Sequence, residues 1–503
     1  MAALRTNILA NYLGQIWMAA MAVIFLPQYL RILGVEAFGL VGVMLSFQAI
    51  LQLFDFGIGG AANRELSRCA HDPALAGGSR DLVRTSESVI WVMAAAIALL
   101  LWGGSSAIAV HWLHLRNITP GQAGSAIAIM GLAIALLWPS TFYANCLSGL
   151  ERQPQLNVIQ AVFATFRYAG VLPVLWWVSP TIGAFLWWHA LVGVAQSLVM
   201  AWLVWRYLPP GQGSARITRH ALQRNSRFAG GLFVIGILAM GVSQLDRLVL
   251  TSLRPLEDMG YYTLALSVAA GLGRMVQPMF NALYPRFSRL VAQHDEAGLQ
   301  KLYHLSSQYL AVVIGAVASM LMVFARDVLY LWTGDAELAT KVAPTLGLLV
   351  AGSALNGLMN IPYSLQLACG WTRLAVGLNA VALLLGLPLC IWAVQRYGMV
   401  GAALPWLLGN LLSVSVGIPL MHRRILPGQA RRWYLRDNLP PLLAGCCVTF
   451  VLHALLPTLT RSAAGLTWLG LISASTLLAC VLAAPAIRAV AGRWFARYRT
   501  AWN

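Results

Sequence analysis

Acids and lysine are scarce in this chain. Of 503 residues only 16 are Asp or Glu, and Lys301 and Lys341 are the only lysines among 34 basic residues. Charged residues make up 10% of the chain against 59% hydrophobic, and the mean hydropathy is +0.71. With so few charges and so many long apolar runs, a soluble enzyme is excluded. No GxxxxGK[ST] occurs, so ATP is not the energy source within this chain. No CxxC occurs either. The seven cysteines are odd in number and sit mostly in apolar stretches, which makes them small buried hydrophobes rather than disulfides or metal ligands. The nine histidines show no HExxH spacing. The short Gly57-x-Gly59-Gly60 lacks the strand that a dinucleotide fold requires and suits close helix packing better. Neither catalysis, nor a metal, nor any cofactor is expected.

What the chain does have is about fourteen apolar stretches, each near the ~20 residues needed to cross a bilayer as a helix. The spans fall at 8–30, 37–59, 88–110, 123–147, 158–178, 182–205, 229–252, 259–283, 307–330, 343–368, 374–395, 400–421, 440–457 and 466–487. Arginine marks every second gap: about 24 basic residues fall on one side and about seven on the other. Basic loops stay cytoplasmic, so both termini and all long loops are expected inside. The first apolar segment runs past 20 residues, carries Asn7, Asn11 and Gln15, and lacks a small-residue cleavage site, so it is not expected to be a cleavable signal. The net charge of +18 is dispersed over loops with no nucleic-acid-binding fold. Contact with anionic membrane lipid is its ordinary meaning, and no nucleic-acid partner is expected.

The basic segment 206–228, with Pro209-Pro210 and five arginines, is the best candidate for a linker between halves. The expected organisation is a six-helix bundle over 1–207, a cytoplasmic linker over 208–228, a second six-helix bundle over 229–422, and two extra helices with a basic tail over 423–503. Loop markers repeat 221 residues apart. Glu36 and Gly39 recur as Glu257 and Gly260, Ser67-Arg68 as Ser288-Arg289, and Gly149 and Arg152 as Gly370 and Arg373. An even number of spans per half makes the repeats parallel. The fold class is therefore an all-α polytopic membrane protein of about 14 helices, two six-helix bundles around a central cavity plus two C-terminal helices. That is a transporter layout.

Ionisable groups inside a membrane are costly unless paired or wetted, so each is a functional candidate. Five stand inside the spans: Asp55, Arg167, Asp246, Arg247 and Arg274. Amides accompany them at helical spacing. Asn7, Asn11 and Gln15 share one face of the first span, as do Gln48, Gln52 and Asp55 in the second. Arg274, Gln277 and Asn281 do so in the eighth, and Asn356, Asn360 and Tyr363 in the tenth. These wet stripes are best satisfied by a common aqueous cavity, although Asn and Gln can equally bond helix to helix. Asp55 lies near an inner helix end, where a cap or a partner for Arg64 is the simpler reading. Asp246 serves a structural bridge as readily as a functional role. Arg167 and Arg274 have the weaker structural excuse and are assigned to the cavity. Three arginines against two acids favour an anionic substrate, since guanidinium fits phosphate oxygens.

The set Asn7-x3-Asn11-x2-Gly14-Gln15, Pro27, Leu33-Gly34-Val35-Glu36-Ala37-Phe38-Gly39, Asp55-Phe56-Gly57 and Arg64-Glu65-Leu66 is familiar. With Asp246-Arg247-Leu248, Gly260-Tyr261-Tyr262 and Tyr284-Pro285-Arg286-Phe287-Ser288 it resembles the Wzx-like polysaccharide and O-antigen flippases. These belong to the multidrug/oligosaccharidyl-lipid/polysaccharide (MOP) exporter superfamily. The resemblance covers about residues 5–420. It implies movement of a polyprenyl-pyrophosphate-linked oligosaccharide from the cytoplasmic to the periplasmic leaflet of a bacterial inner membrane, by alternating access coupled to an ion gradient. It further implies that Arg167, Arg274 and Arg247 meet the pyrophosphate. Asn11, Gln15, Gln52, Gln277, Asn281, Asn356 and Asn360 would meet sugar hydroxyls, and Asp55 or Asp246 would carry the coupling ion. Docking to glycan polymerases or glycosyltransferases suits the basic inner face. A cation-coupled drug or metabolite antiporter of the same superfamily and a non-transporting scaffold for glycan assembly stay open as alternatives.

Overall fold

The computed structural model describes residues 2–52, 57–71, 78–209, 215–218, 237–238, 240–456 and 459–489; for 2–13, 15, 16, 19, 70 and 71 it describes the backbone alone. Every element of length among them is a helix. In chain order these are α1 (Ala2–Leu33), α2 (Val35–Leu51), α3 (Ile58–His71), α4 (Ser79–Trp112), α5 (Pro120–Gly149), α6 (Gln153–Trp177), α7 (Ile182–Tyr207) and α8 (240–253). They continue as α9 (Leu256–Ala292), α10 (Glu296–Val323), α11 (Ala325–Thr333), α12 (Ala336–Ala368), α13 (Arg373–Tyr397), α14 (Met399–Arg424), α15 (Ala430–Leu455) and α16 (Ala463–Ala483). Among the described residues 10 of these helices are long and apolar enough to cross a membrane. Each expected span overlaps a helix, and the all-α multi-pass class holds.

The helix ends follow the local chemistry. On the side read as outer, α5, α7, α12 and α16 begin at Thr119, Thr181, Asp335 and Ser462, whose side chains accept from the backbone N–H three residues on. Thr119 and Gln122 complete a reciprocal capping box with Pro120 at the first turn. Each such cap contributes about 0.5–2 kcal/mol.

Three stretches differ from the sequence expectation. Residues 60–87, read as an inner loop, contain α3, because Ala62, Leu66 and Cys69 are buried on one face while Arg68 reaches back to Glu65 at 3.7 Å on the other. Helix α9 does not stop near 283 but runs through Pro278 and Pro285 to Ala292. The span over 307–330 breaks at Phe324, beyond which α11 forms separately and ends at Gly334 in the left-handed region (φ 78°).

By packing, the chain divides into two units, Met1–Gly260 and Tyr261–Asn503. In the first, Ala62, Leu66, Val83, Ile90, Trp138, Phe142, Tyr143, Leu147, Met200 and Val204 form one core from α3, α4, α5 and α7. The described part of the expected linker lies against α4: the backbone N–H groups of Arg216 and Thr218 donate to Asp81 (2.7 Å) and Thr85 (3.1 Å). In the second unit, α10 meets α15 and α16 through small residues. A Cβ added to Gly445 would lie 2.8 Å from the Gly315 carbonyl and 2.9 Å from Cys480 Sγ. Such close backbone approach is how membrane helices gain packing energy where apolar burial gives none.

Candidate substrate-binding faces

In the first unit α1 lies along α6. Gly14 faces Asn157, the Trp17 indole donates to Thr165 Oγ1 at 2.9 Å, and the Tyr29 hydroxyl donates to the Tyr168 carbonyl. The side chains of Asn11 and Gln15, and Asp55 entirely, lie outside the described residues. Gln52 is exposed at the end of α2.

Arg167 projects from α6 toward α7 and donates through one terminal nitrogen to the carbonyl oxygen of the buried Gln196. Its Nε is buried and has no acceptor among the described residues. Arg247 on α8 behaves alike: Nη1 donates to Gln244 at 2.8 Å while Nε is buried without an acceptor among the described residues. Asp246 is buried and accepts the Arg247 backbone N–H at 2.9 Å. The side-chain acceptor described for each guanidinium is thus a neutral amide.

At the end of the first unit read as outer, one carboxylate organises three segments. Glu36, buried at the start of α2, accepts the backbone N–H groups of Arg116 (2.6 Å) and Asn117 (2.8 Å). The Arg116 side chain meets Glu257, the repeat counterpart of Glu36, at 3.6 Å. The repeat markers Glu36, Gly39, Glu257 and Gly260 are therefore neighbours in space.

The second unit carries the other wet faces. Arg274 is exposed on α9, and among the described residues no acceptor reaches its guanidinium. Gln277 and Asn281 follow on the same helix, both exposed, the former donating to the latter at 3.2 Å. On α12, Asn356 donates to Asn410 of α14 at 2.9 Å, and Asn360 donates back to the Asn356 carbonyl at 3.1 Å. Asn410, a lone amide in an apolar run, escaped the sequence reading, although its position inside a span was signal enough. Aromatic rings complete this face. Phe280 is stacked with Tyr284 (centroids 6.2 Å apart, planes within 1°) and with Tyr363 of α12 (6.1 Å, 24°).

A buried network that sequence gave no hint of stands elsewhere in this unit. His304 Nδ1 lies 2.5 Å from Asp437 Oδ2, Gln308 donates to Asp437 Oδ1 at 2.8 Å, and His304 Nε2 lies 3.0 Å from Gln429 Oε1. Next to it the Tyr303 hydroxyl is 3.1 Å from His422 Nε2. Gln308 Oε1 also accepts the backbone N–H of Ala486 at 2.8 Å. The network fastens α15 and the segment after α16 to α10.

The helix arrangement is that of MOP-superfamily transporters. It matches the lipid II flippase MurJ in an inward closed conformation with TM-score 0.67 at 12% identity, over 95% of this chain and 97% of that one. It also matches an inward-facing multidrug-resistance MATE family transporter, with TM-score 0.66 at 14% identity, over 83% and 94%. Residues 4–291 match the model of the polysaccharide biosynthesis protein family, and residues 232–392 match the MatE family. The chain belongs to the polysaccharide biosynthesis protein family. It is 22% identical over 381 residues to a protein of Shigella flexneri named "Putative O-antigen transporter", covering 75% of this chain and 87% of that protein.

Proposed function

We propose that this multi-pass membrane transporter is a flippase for a polyprenyl-pyrophosphate-linked oligosaccharide. It carries the glycolipid from the cytoplasmic to the periplasmic leaflet of a bacterial inner membrane by alternating access, driven by an ion gradient. The observation that carries this reading is Arg274, an exposed arginine on the long helix α9, inside the span expected over 259–283, with no protein partner among the described residues. Such a charge cannot stand against lipid tails, so it faces water and can take an anion. Guanidinium offers a planar fork suited to phosphate oxygens. Beside it, Gln277, Asn281, Asn356 and Asn360 supply the neutral donors and acceptors that sugar hydroxyls require. The buried, amide-held Arg167 and Arg247 support the same preference for negative charge. The buried carboxylate of Asp246 is the described candidate for ion coupling, and glycan polymerases or glycosyltransferases are the partners that would supply or take up the substrate.

The test is deletion of the gene in its host with assay of lipid-linked oligosaccharides and surface polysaccharide. A completed lipid-linked unit accumulates, the surface glycan disappears, and this chain restores both. Unchanged glycan with lost resistance to cationic toxins overturns the reading in favour of an antiporter.

A further inference from the structure

We infer that Phe280, Tyr284 and Tyr363 form an aromatic platform on which a sugar ring of the transported glycan stacks, next to the arginine that takes the lipid pyrophosphate. The inference rests on the flippase reading and adds to it a glycan-binding site made of rings rather than amides. Phe280 and Tyr284 are four residues apart on α9, which places them on one helix face, and their planes are parallel within 1°. Tyr363 reaches the same ring from α12 at 6.1 Å. Tyr284 and Tyr363 are 39% and 38% exposed, so neither is consumed by core packing.

The simplest competing role is an aromatic belt at the membrane interface. Belt residues stand on the lipid face, but here the same faces are polar. Gln277 and Asn281 sit three residues before and one after Phe280, and Asn360 precedes Tyr363 by one turn, with Asn281 and Gln277 exposed. The two prolines of α9 add acceptors. Proline carries no N–H, so Pro278 and Pro285 leave the carbonyls of Arg274 and Asn281 without the usual helical donor. The face thus combines ring faces, amides and underused carbonyls.

That combination fits a pyranose. One side of such a ring is a patch of C–H bonds, weakly positive, which lies well on the negative face of an aromatic ring. The ring edge carries hydroxyls that need donors and acceptors together. A prenyl chain would use the rings and leave the amides idle, whereas a bare phosphate would use Arg274 and leave the rings idle.

Purified full-length protein in nanodiscs separates these cases, using two probes: lipid-linked oligosaccharide extracted from the host strain lacking this gene, and undecaprenyl pyrophosphate without sugar. Phe280→Leu, Tyr284→Leu and Tyr363→Leu are each expected to weaken glycolipid binding roughly 2- to 10-fold, the worth of one aromatic contact, and to leave undecaprenyl pyrophosphate binding unchanged. Phe280→Tyr and Tyr363→Phe, which keep the ring, bind both probes as the parent does and show that the site is intact. Leucine variants that bind the glycolipid normally overturn the platform while the flippase reading stands. Leucine variants that lose both probes equally overturn it in favour of a prenyl seat. A parent protein that binds neither probe overturns the flippase reading and the platform with it.

Discussion

Gly39 and Gly260 are pressed reciprocally against each other's helix starts. A Cβ on Gly39 would lie 2.3 Å from the Leu256 carbonyl oxygen, and one on Gly260 would lie 2.3 Å from the Val35 carbonyl oxygen. The two glycines are repeat counterparts, 221 residues apart, so the sequence repeat becomes a local symmetric crossing of α2 and α9. Because the obstacle on each side is backbone, no side-chain rearrangement relieves it. Gly39→Ala and Gly260→Ala are each expected to cost roughly 1–3 kcal/mol, read as a lowered midpoint of thermal unfolding in detergent. Gly121→Ala, where a Cβ meets nothing within 4 Å, serves as the control and leaves the midpoint unchanged.

Glu36 holds the loop after α4 by accepting two backbone N–H groups. Glu36→Gln keeps the shape but offers one acceptor oxygen and turns an NH₂ toward the second donor. The expected loss is about 1–3 kcal/mol. Arg116→Ala keeps the backbone donor and removes only a largely exposed ion pair with Glu257, so it costs less than about 1 kcal/mol. Equal losses in the two variants would show that the ion pair, and not the carboxylate cap, organises this end.

Arg274→Gln is expected to abolish restoration of surface glycan in the deletion strain while leaving the unfolding midpoint unchanged, because the side chain has no described partner to lose. Arg274→Lys, which keeps the charge without the fork, restores part of the activity. Arg167→Gln differs in kind. It breaks the bond to the buried Gln196 and therefore lowers the midpoint as well as activity. A normal surface glycan with Arg274→Gln would remove the principal support for an anionic substrate.

The His304–Asp437–Gln308 network joins α10 to α15 with Asp437 fully buried. Removing one partner of a buried pair strands the other, at a cost of about 3 kcal/mol or more. Asp437→Ala is expected to destabilise the protein by that order and to open the connection after α14 to protease, with Gln429 losing its hold on His304. A digestion pattern and midpoint like those of the parent would show that α15 and α16 are held by apolar packing alone.

The spans, the polar stripes and the repeat markers were legible because each follows from covalent spacing and the demands of a bilayer. A membrane helix must be apolar for about 20 residues, so an Arg274 or an Asn356 inside one stands out at once. Helix α3 was missed because its apolar stripe is interrupted by Arg64, Glu65 and Arg68, and mean hydropathy reads such a segment as loop. Its moment, visible in Ala62, Leu66 and Cys69, is the signal that hydropathy averages away.

The sequence by itself determined that this is an all-helical membrane transporter with arginines and amides inside its spans, since transfer of each residue type between water and lipid depends on that residue alone. Tertiary structure decided which of those groups are committed to protein and which have no partner among the described residues. Arg167 and Arg274 look alike in sequence, yet one is bound to Gln196, 29 residues on, and the other has no described partner. The same holds for His304 and Asp437, joined across 133 residues, and for Phe280 and Tyr363, stacked from different helices. Pairing between distant segments depends on where helices pack, and packing is a property of whole faces rather than of spacing along one chain.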